Sequence, residues 1–172
     1  PYDSYAQGGD LLVLMQTPVT VMLALNVYRQ RNVLGEYFLP VAAGCLTGSL
    51  ASIVSVSLLC RLLALDGTIT ASLLPKSVTT AIAIAISESR GGIPGLMVTA
   101  VLIAGAFGAM FAPHFAKLFH ITDPVAEGTA IGSCSHGLGT AKAMEIGSLQ
   151  GAMSSIAVCI CGIITSILAL FL

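Results

Sequence analysis

Apolar residues dominate this chain in runs long enough to cross a lipid bilayer. Four runs contain no Asp, Glu, Lys or Arg and are predicted to be full spans: residues 11–28, 38–60, 92–114 and 150–172. Two more runs, 67–90 and 125–147, contain proline, glycine or polar residues and are predicted to be interrupted helices. The pattern predicts an all-α, polytopic transmembrane protein whose residues 1–172 form one domain.

The two interrupted segments resemble each other at an offset of sixty residues. Between positions 80 and 91 the offset gives five identities: Thr80/Thr140, Ala81/Ala141, Ala83/Ala143, Ile86/Ile146 and Gly91/Gly151. Thr20 lies at the same offset before Thr80. We therefore expect two or three repeats of about 60 residues, each an interrupted helix followed by a full span. If the interrupted segments cross the membrane the units run parallel, and if they re-enter as hairpins the units are inverted.

Small residues recur at four-residue spacing on two of the predicted spans. They are Gly44, Gly48 and Ser52 on the first, and Ala104, Gly108 and Ala112 on the second. Such faces let another helix approach closely. They also favour a homo-oligomer, with a dimer as the first expectation.

Composition supports a membrane protein and disfavours several other functions. The chain is 56% hydrophobic and only 9% charged, and its net charge is -1. The bilayer is therefore an expected partner, whereas a nucleic acid is not. Ser133, Ser135 and His136 are adjacent but lack the motif of a serine hydrolase. The histidines show no metal-ligand spacing, so we predict no enzyme activity, no cofactor and no metal.

Lys76 is the residue that most needs an explanation. It follows Pro75 in the middle of an apolar segment, where a charged side chain is costly and usually functional. Proline breaks the helix there, and Ser77, Thr79 and Thr80 can begin a new one. A helix that starts inside the membrane directs free N–H groups and the positive end of its dipole into the protein. This arrangement predicts a binding site for a small organic anion.

The second interrupted segment offers equivalent chemistry. His136 occupies the position of Lys76 in the repeat, and glycines beside it would let a ligand approach the backbone. The predicted anion-binding residues of this segment are Ser135, His136, Gly137, Gly139 and Thr140.

Lys142 and Glu145 lie three residues apart, so they share one helix face. They are predicted either to neutralise each other as an interfacial ion pair or to couple transport to a proton or ion. Glu127 lies at a predicted helix start, where compensation of the helix dipole accounts for it.

At the two interrupted segments the chain resembles the LrgB family, also called CidB or YohK-like. The resemblance rests on the following residues: Leu74-Pro-Lys-Ser-Val-Thr-Thr80, Gly91-Gly-Ile-Pro94, Asp123-Pro124 with Gly128, and Ala130-Ile-Gly-Ser-Cys-Ser-His-Gly-Leu-Gly-Thr-Ala141. The match continues through Glu145 and Gly147 to Gly151 and runs over essentially the whole chain. Ala81 departs from the family pattern, which usually has proline there.

The resemblance implies two alternative functions. Bacterial members are described as antiholin-like or holin-like partners of LrgA/CidA proteins that modulate murein hydrolases and lysis. Plant chloroplast relatives move glycolate and glycerate, and bacterial pairs have been linked to pyruvate uptake. Because a buried lysine and two interrupted helices suit a carrier, the residues favour transport of small monocarboxylates. Family members also carry hydrophobic segments before the point where this chain begins, so we expect a missing N-terminal portion.

The resemblance also implies a location and a partner. We expect the bacterial cytoplasmic (inner) membrane, or the chloroplast envelope for a plant protein. An LrgA/CidA-like membrane protein is the expected partner.

Overall fold

The computed structural model of this chain describes residues 31–171 continuously, together with Pro18, Val21, Ala24, Leu25, Tyr28 and Arg29. The predicted span 11–28 and the repeat position Thr20 lie outside the described residues, apart from those single positions. Residues 31–171 form six helices, listed here in chain order: α1, Arg31–Leu62; α2, Gly67–Leu73; α3, Thr80–Ser89; α4, Pro94–Leu118; α5, Pro124–Ile146; and α6, Ser148–Ala169. No strand occurs in this part of the chain, so the all-α prediction is confirmed there.

Within residues 31–171, three helices are long and apolar enough to cross a bilayer. They are Gly35–Leu62 within α1, Pro94–Leu118 and Ser148–Ala169. These helices coincide with the runs predicted at 38–60, 92–114 and 150–172. α3 is apolar too, but at ten residues it would extend only about 15 Å, half the thickness of a hydrocarbon core.

The turn before α4 has the chemistry that its sequence predicts. Gly91 adopts a φ of 71°, which glycine tolerates without strain, and Pro94 occupies the first turn of α4. The Ile93 N–H donates to Ser72 Oγ at 2.7 Å, and the Gly92 N–H donates to the Ser87 carbonyl at 2.8 Å. This single turn is therefore hydrogen-bonded to both α2 and α3.

These contacts show that α2 and α3 fold back on each other. In one straight helix, Ser72 and Ser87 would lie about 22 Å apart. Here both lie beside Gly92, since a Cβ on Gly92 would come within 3.0 Å of Ser72 Oγ and closer still to Ser87 Oγ. The start of α2 and the end of α3 consequently point to the same side of the protein.

α5 also folds back, at His136. The backbone there has a φ of 36° and a ψ of -125°, which interrupts the helix. Gly132, before the turn, and Thr140, after it, both contact Ser154 of α6. In a straight helix those two residues would lie about 12 Å apart, so residues 124–135 and 137–146 run in opposite directions.

Glycine residues allow the folded-back halves of α5 to pack closely. Gly128 and Gly132 contact the α6 backbone at Gln150 and Ser154, where a Cβ would collide. Gly139 faces Ser135 and Ile131 across the turn, and a Cβ there would lie 3.0 Å from Ile131 Cγ2. Such small residues let three helical segments, the two halves of α5 and the whole of α6, pack side by side.

α1 completes the packing around this unit. Its predicted small-residue face does admit a neighbour, because Cβ atoms on Gly44 and Gly48 would lie 3.6 Å from Thr129 and 3.5 Å from Ser133. The principal core lies between α1, α5 and α6: Val41, Cys45, Val125, Ala152, Met153, Ile156, Ala157 and Cys161. A second apolar cluster joins Val78 of the first break and Ala83 of α3 to Met97 and Val101 of α4.

Candidate functional site

The first break lies between α2 and α3, at Leu74 to Thr79. Its backbone forms tight turns, in which the Lys76 N–H donates to the Leu73 carbonyl at 3.2 Å and the Val78 N–H to the Pro75 carbonyl at 3.3 Å. α3 then begins with Thr79 as an extended N-cap whose side chain makes no capping hydrogen bond. The first N–H groups of α3 are consequently left for another acceptor.

Lys76 is half-buried at this break. Its ammonium donates to Ser77 Oγ at 3.3 Å, and Ser77 Oγ lies 2.6 Å from Ser52 Oγ on α1. Ser52, the third member of the small-residue face of α1, therefore anchors the first break. Thr79 and Thr80 are half-buried beside it.

The second break is a single buried turn at His136. The residue is only 5% exposed, and its Nε2 is buried without a hydrogen-bond partner among the described residues. α4 makes room for the ring, because a Cβ on Gly105 would lie 3.0 Å from His136 Cε1. A positive φ on a residue with a Cβ costs about 1–3 kcal/mol, which the surrounding packing must offset. A buried, unpaired nitrogen at a strained turn marks a position suited to binding.

The two breaks meet in space. The His136 imidazole lies close enough to Lys76 to interact with both its backbone and its charge. Residues sixty positions apart thus form one polar cluster inside an apolar helical protein: Ser52, Lys76, Ser77 and His136. This cluster is the candidate site.

Other predicted residues of the second break are used for packing or internal hydrogen bonds. Thr140 Oγ1 donates to the His136 carbonyl at 2.8 Å and also lies 2.8 Å from Ser154 Oγ. Ser135 is buried against Gly108 of α4, and Gly139 is buried against Ser135. Gly137 differs, since a Cβ there would meet open space. The anion-binding roles of these residues stay predictions.

Lys142 and Glu145 form the predicted ion pair, with Nζ and Oε2 2.8 Å apart. Their side chains are 38% and 70% exposed. Lys142 lies about 9 Å along the helix from His136. The geometry is that of an exposed i,i+3 pair, and the proposed coupling role stays a prediction.

Glu127 and Gln150 form a contact that the sequence reasoning missed. Gln150 Nε2 donates to Glu127 Oε2 at 3.2 Å, and both side chains are half-buried. The two residues are 23 positions apart, and no periodicity in the sequence relates them. The only available signal was a carboxylate inside an interrupted apolar segment.

Two cavities border α5 near the second break. One of about 390 Å³ lies between α4 and α5 and extends from Phe119 to Ser135, the neighbour of His136. Another of about 500 Å³ lies between α1 and the first half of α5 and reaches Ser133. Within the described residues, no group of three or more His, Cys, Asp or Glu side chains could hold a metal ion.

The sequence matches known proteins along its full length. Residues 1–172 match the model of the LrgB-like family. The antiholin-like protein LrgB of Bacillus mycoides (strain KBAB4) is 35% identical over 164 residues, which cover 95% of this chain and 71% of that protein. The antiholin-like protein LrgB of Bacillus cereus (strain B4264) is 34% identical over the same shares. No solved structure matches significantly.

The resemblance found in the motifs of the two breaks is thereby confirmed. Identity of this level over nearly the whole chain, together with the match to the family model, fixes the family. The three apolar helices identify the kind of protein. The chain belongs to the LrgB-like family and is an integral membrane protein.

Proposed function

We propose that this protein is a membrane carrier for small monocarboxylates of the pyruvate, glycolate or glycerate type. The observation that supports the proposal is the meeting of the two breaks, where the buried His136 imidazole interacts with the backbone and the charge of Lys76. A protein that only oligomerises has no need of such a cluster, because buried polar groups without partners are costly.

The anion would bind between Lys76, Ser77 and the N-terminal end of α3. The uncapped N–H groups after Thr79 suit a carboxylate, and the Lys76 ammonium supplies a full positive charge. On the other side, Ser135, His136, Gly137 and the start of the second half of α5 would complete the contact. Half-helix ends that face a site near the bilayer midplane are typical of secondary transporters.

The two fold-backs support an inverted repeat. In this proposal α2–α3 and the two halves of α5 are hairpins that enter the membrane from opposite sides, and α4 and α6 are the spans that follow them. The Arg90 guanidinium, at the end of α3, donates to the Ala169 carbonyl at the end of α6 at 2.7 Å. This contact is expected if the first hairpin opens on the side where α6 ends.

The names of the relatives favour a second function over transport. Proteins 34–35% identical to this chain are called antiholin-like, and they are aligned over 95% of it. The second candidate is therefore an antiholin-like or holin-like regulator of murein hydrolase export and lysis, acting with an LrgA/CidA-type partner. In either role we place the protein in the bacterial inner membrane, as a homo-oligomer.

Uptake of labelled pyruvate and glycolate into proteoliposomes separates the two functions. Lys76→Ala should reduce uptake at least about tenfold, because it removes the cation from the site. Arg61→Ala is the control, since that cation is exposed in the last turn of α1. It should leave uptake within about twofold of wild type.

Other outcomes of the uptake experiment would contradict the carrier function or favour the antiholin-like function. Folded wild-type protein that takes up neither acid, with or without an LrgA-like partner, would contradict the carrier function. If the same protein also changed the rate of murein hydrolysis in cells, the antiholin-like function would replace it. Equal uptake by wild type and Lys76→Ala would remove the lysine from the site.

A further inference from the structure

Glu127 is not needed to cap the helix on which it lies. Asp123 already caps α5, because its Oδ1 accepts the Ala126 N–H at 2.8 Å. The Glu127 carboxylate lies in the first turn of α5 and accepts from Gln150 Nε2 of α6 at 3.2 Å. Compensation of the helix dipole, the role expected from the sequence, is compatible with this position but does not require the contact with Gln150.

Gln150 is held in place opposite this carboxylate. Its backbone packs directly on Gly128, the residue after Glu127, where no Cβ would fit. Its side chain lies against Gly147, at the connection between α5 and α6. The amide is thus a fixed donor, and among the described residues it is the one hydrogen-bond partner of the Glu127 carboxylate, through Oε2.

Two cavities meet at Glu127. The inner one is the 390 Å³ space between α4 and α5, with apolar walls, that extends to Ser135 beside His136. The outer one, of about 420 Å³, is lined by Lys117 in the last turn of α4 and by His120 and Thr122 from the connection between α4 and α5. Glu127, Ala116 and Ile121 line both. Glu127 therefore lies where the two cavities adjoin, and one of them extends to Ser135 beside His136.

We propose that Glu127 is the proton-binding group of the carrier, which takes up one proton with each monocarboxylate. The inference rests on the carrier function proposed above. A proton binds the carboxylate from the side of the outer cavity while the anion binds at the breaks, and both are released on the other side. The pair carries no net charge, so a pH gradient drives accumulation of the anion.

The surroundings favour a proton over a metal cation. The groups facing Glu127 are Lys117 and His120 from the α4 side and the neutral Gln150 from α6, while Asp123 is engaged as the cap of α5. α1 packs on α5 through Gly44 and Gly48, which bring no charge. A sodium ion would need several oxygen ligands, whereas a single carboxylate in an apolar wall suffices for a proton.

The proposed proton site at Glu127 is separate from the anion site, and a cavity connects the two. Glu127 lies nine residues before His136, or about 13 Å along the helix. The inner cavity bridges this distance by reaching Ser135. Glu145, the carboxylate predicted from the sequence as a coupling group, is 70% exposed and paired with Lys142. Glu127 is the better-placed carboxylate.

The test compares two transport modes of the purified protein in proteoliposomes. Accumulation of labelled pyruvate driven by an imposed pH gradient needs the proton site, whereas exchange of labelled for unlabelled pyruvate at equal pH does not. Glu127→Gln keeps the size and the hydrogen bond to Gln150. It should lose gradient-driven accumulation at least about tenfold while its exchange stays within about twofold of wild type. Glu88→Gln, which alters an exposed carboxylate of α3, is the matched control and should keep both.

Each other outcome has a defined meaning. Glu127→Gln that still accumulates pyruvate in a pH gradient overturns the proposal. A parallel loss of accumulation and exchange overturns it too, by making Glu127 a structural or binding residue. Accumulation that follows a sodium gradient at constant pH contradicts the choice of cation. Wild-type protein that neither accumulates nor exchanges pyruvate removes the carrier function, and the proton site with it.

Discussion

The break between α2 and α3 covers Leu74 to Thr79, whereas the break in α5 is concentrated at His136. The first contains a proline and turns gradually, so its backbone needs no positive φ and its lysine stays half-buried. The second turns sharply on a strained, buried histidine and is surrounded by glycines. One break therefore presents a charge, and the other provides a buried imidazole near enough to interact with it.

The difference shows that similar sequence positions do not require similar structures. Lys76 and His136 align in the repeat, and both lie at turns that reverse a helix. Proline ends a helix by removing a donor, while glycine permits a reversal by letting two backbones touch. We expect substitutions at the first break to change binding more than folding, and substitutions at the second to change both.

The largest expected effect is on folding at the second break. Gly139→Val would place a branched side chain against Ser135 and Ile131, where a single Cβ already fits poorly. Overpacking of this kind costs about 1–3 kcal/mol or more, so the two halves of α5 should separate. The yield of monodisperse protein from detergent and its Tm should both fall steeply.

Gly137→Ala is the control for that prediction. A Cβ at Gly137 meets open space, so this variant should keep the Tm of wild type. If Gly139→Val were as stable as Gly137→Ala, the close fold-back of α5 would be wrong.

A smaller effect on stability, together with weaker binding, is expected from a substitution at His136. His136→Gly removes the imidazole but also relieves the positive φ, which glycine adopts without strain. Binding of pyruvate should weaken about tenfold while the Tm falls little or rises. Calorimetric titration and thermal denaturation measure the two quantities. Unchanged binding would separate His136 from the anion site.

The smallest effect concerns the helix that leads into the first break. Asp66 caps α2 by accepting the Thr68 N–H at 3.2 Å, and this backbone hydrogen bond lowers the pKa of the carboxyl. Because the folded pKa lies below the unfolded one, the stabilisation is present above about pH 4 and is lost as pH falls through the folded value. Tm measured between about pH 6 and pH 3 should decline more in wild type than in Asp66→Asn. Equal declines would contradict the cap.

Much of the fold was predictable because it follows from local chemistry. Apolar length identifies the three full helices, Pro75 ends α2, and Gly91 with Pro94 forms the turn before α4. The ion pair of Lys142 and Glu145 follows from helical spacing alone. Each of these features depends on residues that are close in sequence.

The features that were not predictable depend on the fold-back. The sequence left open whether the interrupted segments cross or return, because both courses fit their lengths. Only the contacts of Gly132 and Thr140 with Ser154 show that α5 reverses. The pairing of Glu127 with Gln150 and the burial of His136 follow from that reversal, so no local pattern could reveal them.

The central claim is that both breaks contact the same anion, and a double-mutant cycle on pyruvate binding tests it most directly. Calorimetric titration of wild type, Lys76→Ala, His136→Gly and the double variant gives four binding free energies. If the breaks share one ligand, the two losses should be non-additive, with a coupling energy of about 0.5–3 kcal/mol. Losses that add within about 0.5 kcal/mol would place Lys76 and His136 in separate sites and contradict the claim.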